Sequence, residues 1–295
     1  MNCIRNFSLL GPCMMVFASL FFALTSLFVK LCSDSVPVGV IVLARFIFMY
    51  LLMETFRLSG KIKVRPRNKK LLFWRSVMAS VGGVFYFFAM ATIPIAEAVV
   101  LKYTYPLFAV AIASLAYSEK TGRLVITALA LCLAGIFIMV KPTSFNLSPG
   151  YAWGLLNGLS AGIAVALLRQ LRATDDSSTV LYFHSLTGVI ISLPFIAQWR
   201  PAGFEGWTYT FFAALFGLLG QFSLVYGFRY IKTGSGSVVM ALEVVFSALL
   251  ALISLNQVPG LMKIAGGALI ILGAALVSGR DQIKSEDIRV AGSDK

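Results

Sequence analysis

Apolar residues fill this chain in blocks of about twenty, separated by short polar or basic joints, over nearly its whole length. Blocks of that size fit α-helices that cross a bilayer, whereas the strands of a membrane barrel are segments of about ten alternating residues. We read ten blocks: 10–30, 37–58, 71–91, 94–116, 123–141, 149–169, 178–198, 207–228, 233–254 and 262–279. Ile93-Pro94 marks the tight joint between the third and fourth. The expected fold class is an all-α integral membrane protein with ten transmembrane helices.

Composition agrees. Of 295 residues, 59% are hydrophobic and 13% charged, with a mean hydropathy of +0.87; a soluble domain carries about 25% charged residues. Arg5 ahead of an apolar run imitates a signal peptide. The run Leu9–Val29 exceeds the usual 7–15 residues, however, and no small-x-small cleavage site follows, so it is read as an uncleaved first span. Cys3, Cys13, Cys32 and Cys132 show no paired spacing, and His184 is the single histidine. Neither a disulfide framework nor a metal site is expected, and no cofactor.

The net charge of +13 changes the picture only through its distribution. With the N-terminus in the cytoplasm, 19 of the 25 basic residues fall on the inner side, among them the run KIKVRPRNKK at 61–70 and the tail 280–295. Lys30, Lys141, Arg200 and Lys263 lie outside, and Arg45 and Lys102 within spans. This bias places both termini in the cytoplasm, in a bacterial inner membrane. The basic run then faces anionic headgroups of the lipid bilayer, and no nucleic acid is expected as a partner.

Shifting the chain by 138 residues pairs Val100 with Val238, Phe108 with Phe246, Ala113 with Ala251, Ile126 with Ile264, Ala130 with Ala268, Leu131 with Leu269 and Gly135 with Gly273. Five spans begin and end on opposite sides of a membrane, so two such units, 9–141 and 149–279, are expected as inverted repeats. Gly154, Gly158 and Gly162, with Ala213 and Gly217, allow close helix approach, either within a monomer or in a weak homodimer.

Candidate chemistry lies in the charges inside the spans: Arg45, Glu97, Lys102, His184 and Glu243. A charge at mid-bilayer costs roughly 2.5–3.5 kcal/mol on insertion scales, so each is expected to face protein or a water-filled cavity. The fourth span, Pro94–Glu119, is central. Pro106 removes an amide donor and crowds the carbonyl of Lys102, which predicts a helix break beside a charge. Arg45 and Lys102 each lie about 12 Å below the outer ends of their spans and are suited to bind a carboxylate or phosphate. Arg45 alternatively ties helices through backbone carbonyls, and Lys102 and Pro106 alternatively form a structural salt bridge and kink. Glu243, near mid-depth, is the leading proton carrier or the counter-charge of Lys102 or Arg45. Glu97 and His184 are further proton-coupling candidates, His184 with the alternative of a neutral packing role. Tyr105 and Tyr226 join the substrate-binding set from a dense aromatic group that also includes Tyr86, Phe87, Phe88, Tyr103 and Phe222. Glu54 and Arg75, near inner ends, are read as interfacial.

These features resemble the drug/metabolite transporter superfamily, and its EamA-like branch in particular. The resemblance rests on Lys30 closing span one, Arg45-Phe46 in span two, Tyr105-Pro106-Leu107-Phe108-Ala109 and Ser118-Glu119 in span four, and Gly135 and Gly273 in spans five and ten. It covers residues 9–279 and implies a carrier of small metabolites. Val244 stands where the repeat would place a second proline, and Asn256-Gln257 where a second acidic residue is usual. Span nine is therefore expected to be less kinked than span four.

The resulting expectation is a secondary transporter working by alternating access, coupled to protons or to a counter-transported solute. No Walker A motif is present, so ATP is not the direct driver. There is no HExxH, and Gly234-Ser235-Gly236-Ser237 matches a serine-nucleophile elbow poorly, so no enzyme is expected. Two cations and two carboxylates at mid-depth suit a small polar or zwitterionic metabolite, such as an amino acid or S-adenosylmethionine. The alternatives are a membrane-embedded structural or assembly protein and an exporter of lipophilic drugs. A reporter fused after Pro66 should read cytoplasmic and one within Phe145–Leu147 external; the reverse at either site overturns the orientation.

Overall fold

In the computed structural model the apolar blocks are helices, and among the described residues there is no strand. The structure describes residues 2–33, 35–93, 98, 101–117, 122–140, 148–255 and 260–278. The helices are α1 (Asn2–Cys32), α2 (Val38–Leu58), α3 (Lys69–Thr92), α4 (Tyr105–Tyr117), α5 (Arg123–Val140), α6 (Pro149–Leu171) and α7 (Ser177–Ser192, continued by a 3₁₀ turn Leu193–Gln198). They continue as α8 (Phe204–Gly227), α9 (Thr233–Met240), α10 (Leu242–Leu255) and α11 (Leu261–Ser278). Seven stretches among the described residues are long and apolar enough to span a membrane, and Arg123–Ile138 and Ile264–Gly273 are shorter apolar helices. Local chemistry sets several starts. Asn68 accepts a hydrogen bond from Leu71 N at 3.2 Å to begin α3, and Ser148 with Pro149 behind it opens α6.

Two expected spans are broken. In the fourth, Leu101 and Lys102 are helical, Tyr103 and Thr104 turn, and α4 starts at Tyr105 with Pro106 as its second residue. Proline fits there because the first turn of a helix leaves its N–H groups unbonded. The ninth span breaks at Ala241, between α9 and α10, although it lacks a proline, which corrects the expectation of a straighter helix. The reason lies in other side chains. Tyr103 OH donates to Met240 O at 3.1 Å, while Ser19 Oγ, which donates to Met15 O of its own helix at 2.8 Å, sits 3.3 Å from the carbonyls of Val239 and Met240. A carbonyl freed from its helix in an apolar setting must find such a donor. Tyr103 and Ala241 are 138 residues apart, the shift that aligned the two halves.

Helix pairing follows the small residues. α1 packs on α8, α3 on α6, α2 on α7 and α5 on α11; α4 lies on α6 and α10 on α1. The GxxxG stripe of α6 receives the broken fourth span. A Cβ at Gly154 would meet Leu101 Cδ1 at 2.5 Å, and one at Gly162 would meet Phe108 Cβ at 2.5 Å and Tyr105 O and Ala109 N at 3.0 Å. At the α5–α11 crossing, a Cβ on Gly135 would lie 2.6 Å from Gly266 O, and one on Gly273 would lie 2.9 Å from Ala128 O. These stripes are thus consumed inside the chain. At one end of the bundle Asp175 accepts from Arg67 N and Asn68 N at 2.8 and 3.1 Å, fixing the basic loop 61–70 to the α6–α7 turn.

Overpacking a close crossing costs about 1–3 kcal/mol. Gly162→Val should therefore lower the thermal midpoint of the detergent-solubilised protein clearly, whereas Gly267→Ala, with open space beyond its Cα, should leave it unchanged or slightly raised. Equal midpoints for both variants would contradict the assigned packing.

Candidate functional site

The two helix breaks face each other across a cavity. Lys102 is the last helical residue before the first break, and Glu243 lies in the first turn after the second. Each charge thus lies at the helix terminus whose dipole favours it, a cation at a C-terminal end and an anion at an N-terminal end. Lys102 Nζ donates to Glu243 Oε1 at 2.5 Å. The ammonium also lies 5.0 Å from the ring centre of Tyr86, 5.5 Å from Tyr103 and 5.8 Å from Phe22. Three aromatic faces and one carboxylate replace the water that an ammonium loses on entering the membrane. Glu243 is only 4% exposed, and its Oε2 is buried without a hydrogen-bond partner among the described residues.

The cavity has about 190 Å³ open to the centres of water molecules, room for on the order of a dozen. Its wall draws on both halves of the chain. α1 supplies Phe22 and Thr25, α2 Arg45 and Phe46, α3 the stripe Arg75-Ala79-Gly83-Tyr86, and the fourth span Lys102 and Tyr105. Asn157 comes from α6, His184 from α7, Gln221 from α8, and Met240 and Glu243 from the ninth span.

Five sequence-predicted residues, Arg45, Lys102, Tyr105, His184 and Glu243, therefore line one space. Arg45 extends towards α8, where a Cβ on Gly217 would lie 2.6 Å from its Nε; its Cζ is 6.0 Å from the Phe22 ring centre. Backbone carbonyls do not hold it among the described residues, contrary to the helix-tying alternative. His184 is buried, with Nδ1 3.4 Å from Ser80 Oγ and its ring edge-on to Phe46 at 5.4 Å. Tyr105 OH is buried without a hydrogen-bond partner among the described residues. Tyr226 is half-buried, stacked on Phe222 at 6.1 Å, and is not part of the wall. Pro106 is buried at the start of α4. Glu97, Ser118-Glu119 and Asn256-Gln257 lie outside the described residues.

Arg75 corrects an expectation. Instead of lying at the interface it is 2% exposed and lines the cavity, because it falls on the inward stripe of α3 rather than the lipid-facing side. The signal was legible: Arg75, Ala79, Gly83 and Tyr86 recur at four, four and three residues, one helix face. Asn157 was also missed. Its Nδ2 donates to Gly82 O at 2.6 Å, while Oδ1 is unpartnered among the described residues.

The EamA-like transporter family matches the chain over residues 9–141 and again over 148–279. The chain belongs to this family. It is 28% identical over 273 residues to the pseudopaline exporter CntI of Pseudomonas aeruginosa, covering 91% of this chain and 95% of that one. It is 24% identical to solute carrier family 35 member G1 of Homo sapiens, over 90% of this chain and 79% of that one. An S-adenosylmethionine uptake transporter of Rickettsia prowazekii is 22% identical, over 77% and 78%. A solved crystal structure superposes with a TM-score of 0.73 at 20% identity, covering 91% of this chain and 98% of the other, a likeness of fold. This EamA-type protein is thus a multi-pass membrane transporter of a small molecule, not an enzyme.

Removing one partner of a buried ion pair strands the other, at a cost of about 3–5 kcal/mol. Lys102→Met and Glu243→Gln should each lower the thermal midpoint, and the double variant should recover much of the loss, with a coupling of about 1 kcal/mol or more in the thermodynamic cycle. Additive effects would mean that the pair does not form.

Proposed function

We propose that the chain is a secondary transporter that carries a small polar, zwitterionic metabolite across a bacterial inner membrane by alternating access. The observation that carries this reading is the Lys102–Glu243 pair, which joins two broken spans, one from each half, over a shared cavity. Charged groups at helix breaks near mid-membrane are the usual construction of secondary-transport sites.

The architecture behind this reading is ten spans in two inverted five-helix halves, 9–141 and 149–279, with a cytoplasmic tail 280–295 and both termini in the cytoplasm. Three observations support it. The breaks are 138 residues apart. The helix pairings map onto one another when the halves are exchanged: α1 on α8 becomes α6 on α3, and α4 on α6 becomes the ninth span on α1. At the α5–α11 crossing, Gly135 abuts Gly266 O and Gly273 abuts Ala128 O, and 128 and 266 are again 138 apart. Rocking of one half on the other opens the cavity alternately to each side. The small-residue stripes are used internally, which favours a monomer.

In this cavity Lys102, Arg45 and Tyr105 bind the substrate's acidic end and Glu243 its amine. The names of the relatives, an exporter of pseudopaline and an importer of S-adenosylmethionine, support a substrate bearing both charges. Glu243, buried and able to exchange Lys102 for a proton, is the coupling residue; Glu97 and His184 are the reserves, and a counter-solute is the alternative coupling partner.

Uptake into sealed proteoliposomes, with and without an imposed pH gradient, tests this. Lys102→Ala, reconstituted at an equal amount of folded protein, should abolish saturable uptake. Glu243→Gln, which keeps shape but removes titration, should lose gradient-driven accumulation while retaining solute exchange. Unchanged gradient-driven uptake by Glu243→Gln excludes it from coupling, and normal transport by Lys102→Ala removes it from the site.

A further inference from the structure

The Lys102–Glu243 pair occupies the one carboxylate that lines the cavity among the described residues. Two guanidiniums in the same wall are left over. Arg45, seven residues into α2, lies about 10 Å from its outer end, and Arg75, six residues into α3, about 9 Å from its inner end. Arg75 is 2% exposed, so it does not reach headgroups or bulk water, and its Nε and Nη1 are buried with no hydrogen-bond partner among the described residues. Arg45 lies over the Phe22 ring face, in space made by Gly217, and feels the charge of Glu243 across the cavity without forming an ion pair with it among the described residues. An arginine cannot escape such a position by giving up its proton. An uncompensated buried charge is strongly unfavourable, and a planar guanidinium is matched best by a carboxylate or phosphate.

We infer that Arg75 and Arg45 are anion-binding groups at the two ends of the transport cavity, and that the substrate carries more negative than positive charge: a metabolite with at least two acidic groups, with or without an amine. This rests on the reading of the cavity as the transport site and narrows it. Within the zwitterionic class proposed above, amino acids with an added acidic group fit this charge balance better than a net cation of the S-adenosylmethionine type. Lys102 already fills the cation pole, caged by Tyr86, Tyr103 and Phe22, so the side chains of the cavity wall carry formal charges of three cations against one anion.

The test uses the purified full-length chain and named probes: glutarate, glutamate, inorganic phosphate, lysine and putrescine, at constant ionic strength with chloride as the control. Glutarate or glutamate should raise the thermal midpoint, with phosphate doing so if a phosphate-bearing substrate is the natural source of the charge, and the two cations should not. Arg75→Gln should be at least as stable as the parent in anion-free buffer, since it removes an unbalanced charge. It should bind the dicarboxylates about tenfold or more weakly. Arg75→Lys should keep part of that affinity. The inference is overturned if chloride stabilises as well as the acids do, if lysine or putrescine stabilises best, if no acidic probe stabilises, or if Arg75→Gln binds the acids like the parent. Loss of stability in both Arg75→Gln and Arg75→Lys without anion also overturns it, because Arg75 would then be a structural residue. Radiolabelled glutamate flux into proteoliposomes separates the two readings. Stabilisation by acids without flux of any probe leaves the anion site standing and removes the transport reading, whereas saturable lysine flux does the opposite.

Discussion

Inside a bilayer every backbone N–H and C=O must be bonded within the protein, and this chain interrupts two of its helices there. The structure depends on how those interruptions are satisfied. At the first, a proline supplies the break and the new helix absorbs it within its first turn. At the second there is no proline, and the hydroxyl of Tyr103 holds the Met240 carbonyl, with Ser19 Oγ packed 3.3 Å from the same turn. Tyr103 belongs to the first break, so one interruption is stabilised by the other. Lys102 and Glu243 then meet because each occupies the helix terminus that suits its charge.

The rest of the bundle brings these ends together. Glycines on α6 admit the fourth span at backbone distance, and glycines on α8 leave room for Arg45 and Phe22. Large side chains would separate the helices, and the cavity would lose the wall that carries Asn157 and Gln221. Close packing and the polar site are thus one arrangement, since the charged groups converge only where backbones can approach.

Much of this was legible in the sequence. Apolar block length gave the helices, and intramembrane ionisable residues pointed to four of the residues that share the cavity, with Tyr105 drawn from the aromatic group. What escaped has physical causes. The second break was invisible because the hydroxyl that satisfies it, on Tyr103, is more than a hundred residues away along the chain. Arg75 was misplaced because its distance from the loop was weighed and the helix face was not. Tyr226 was included for its chemistry, and aromatic content alone does not distinguish a cavity wall from the stack it forms with Phe222.

The α5–α11 crossing has a mechanical consequence. Gly135 lies against the carbonyl of Gly266, and Gly273 against the carbonyl of Ala128 and the thiol of Cys132, so the two helices approach at backbone distance. Surfaces so close have little freedom to slide or separate, but a contact this narrow resists rotation least. The crossing has the properties of a fulcrum, set apart from the cavity and built around uncharged backbone atoms. In the proposed rocking of the halves, small rotations there would become larger displacements at the distant walls, so the amplitude of opening would be set by lever length rather than by any property of the charged residues.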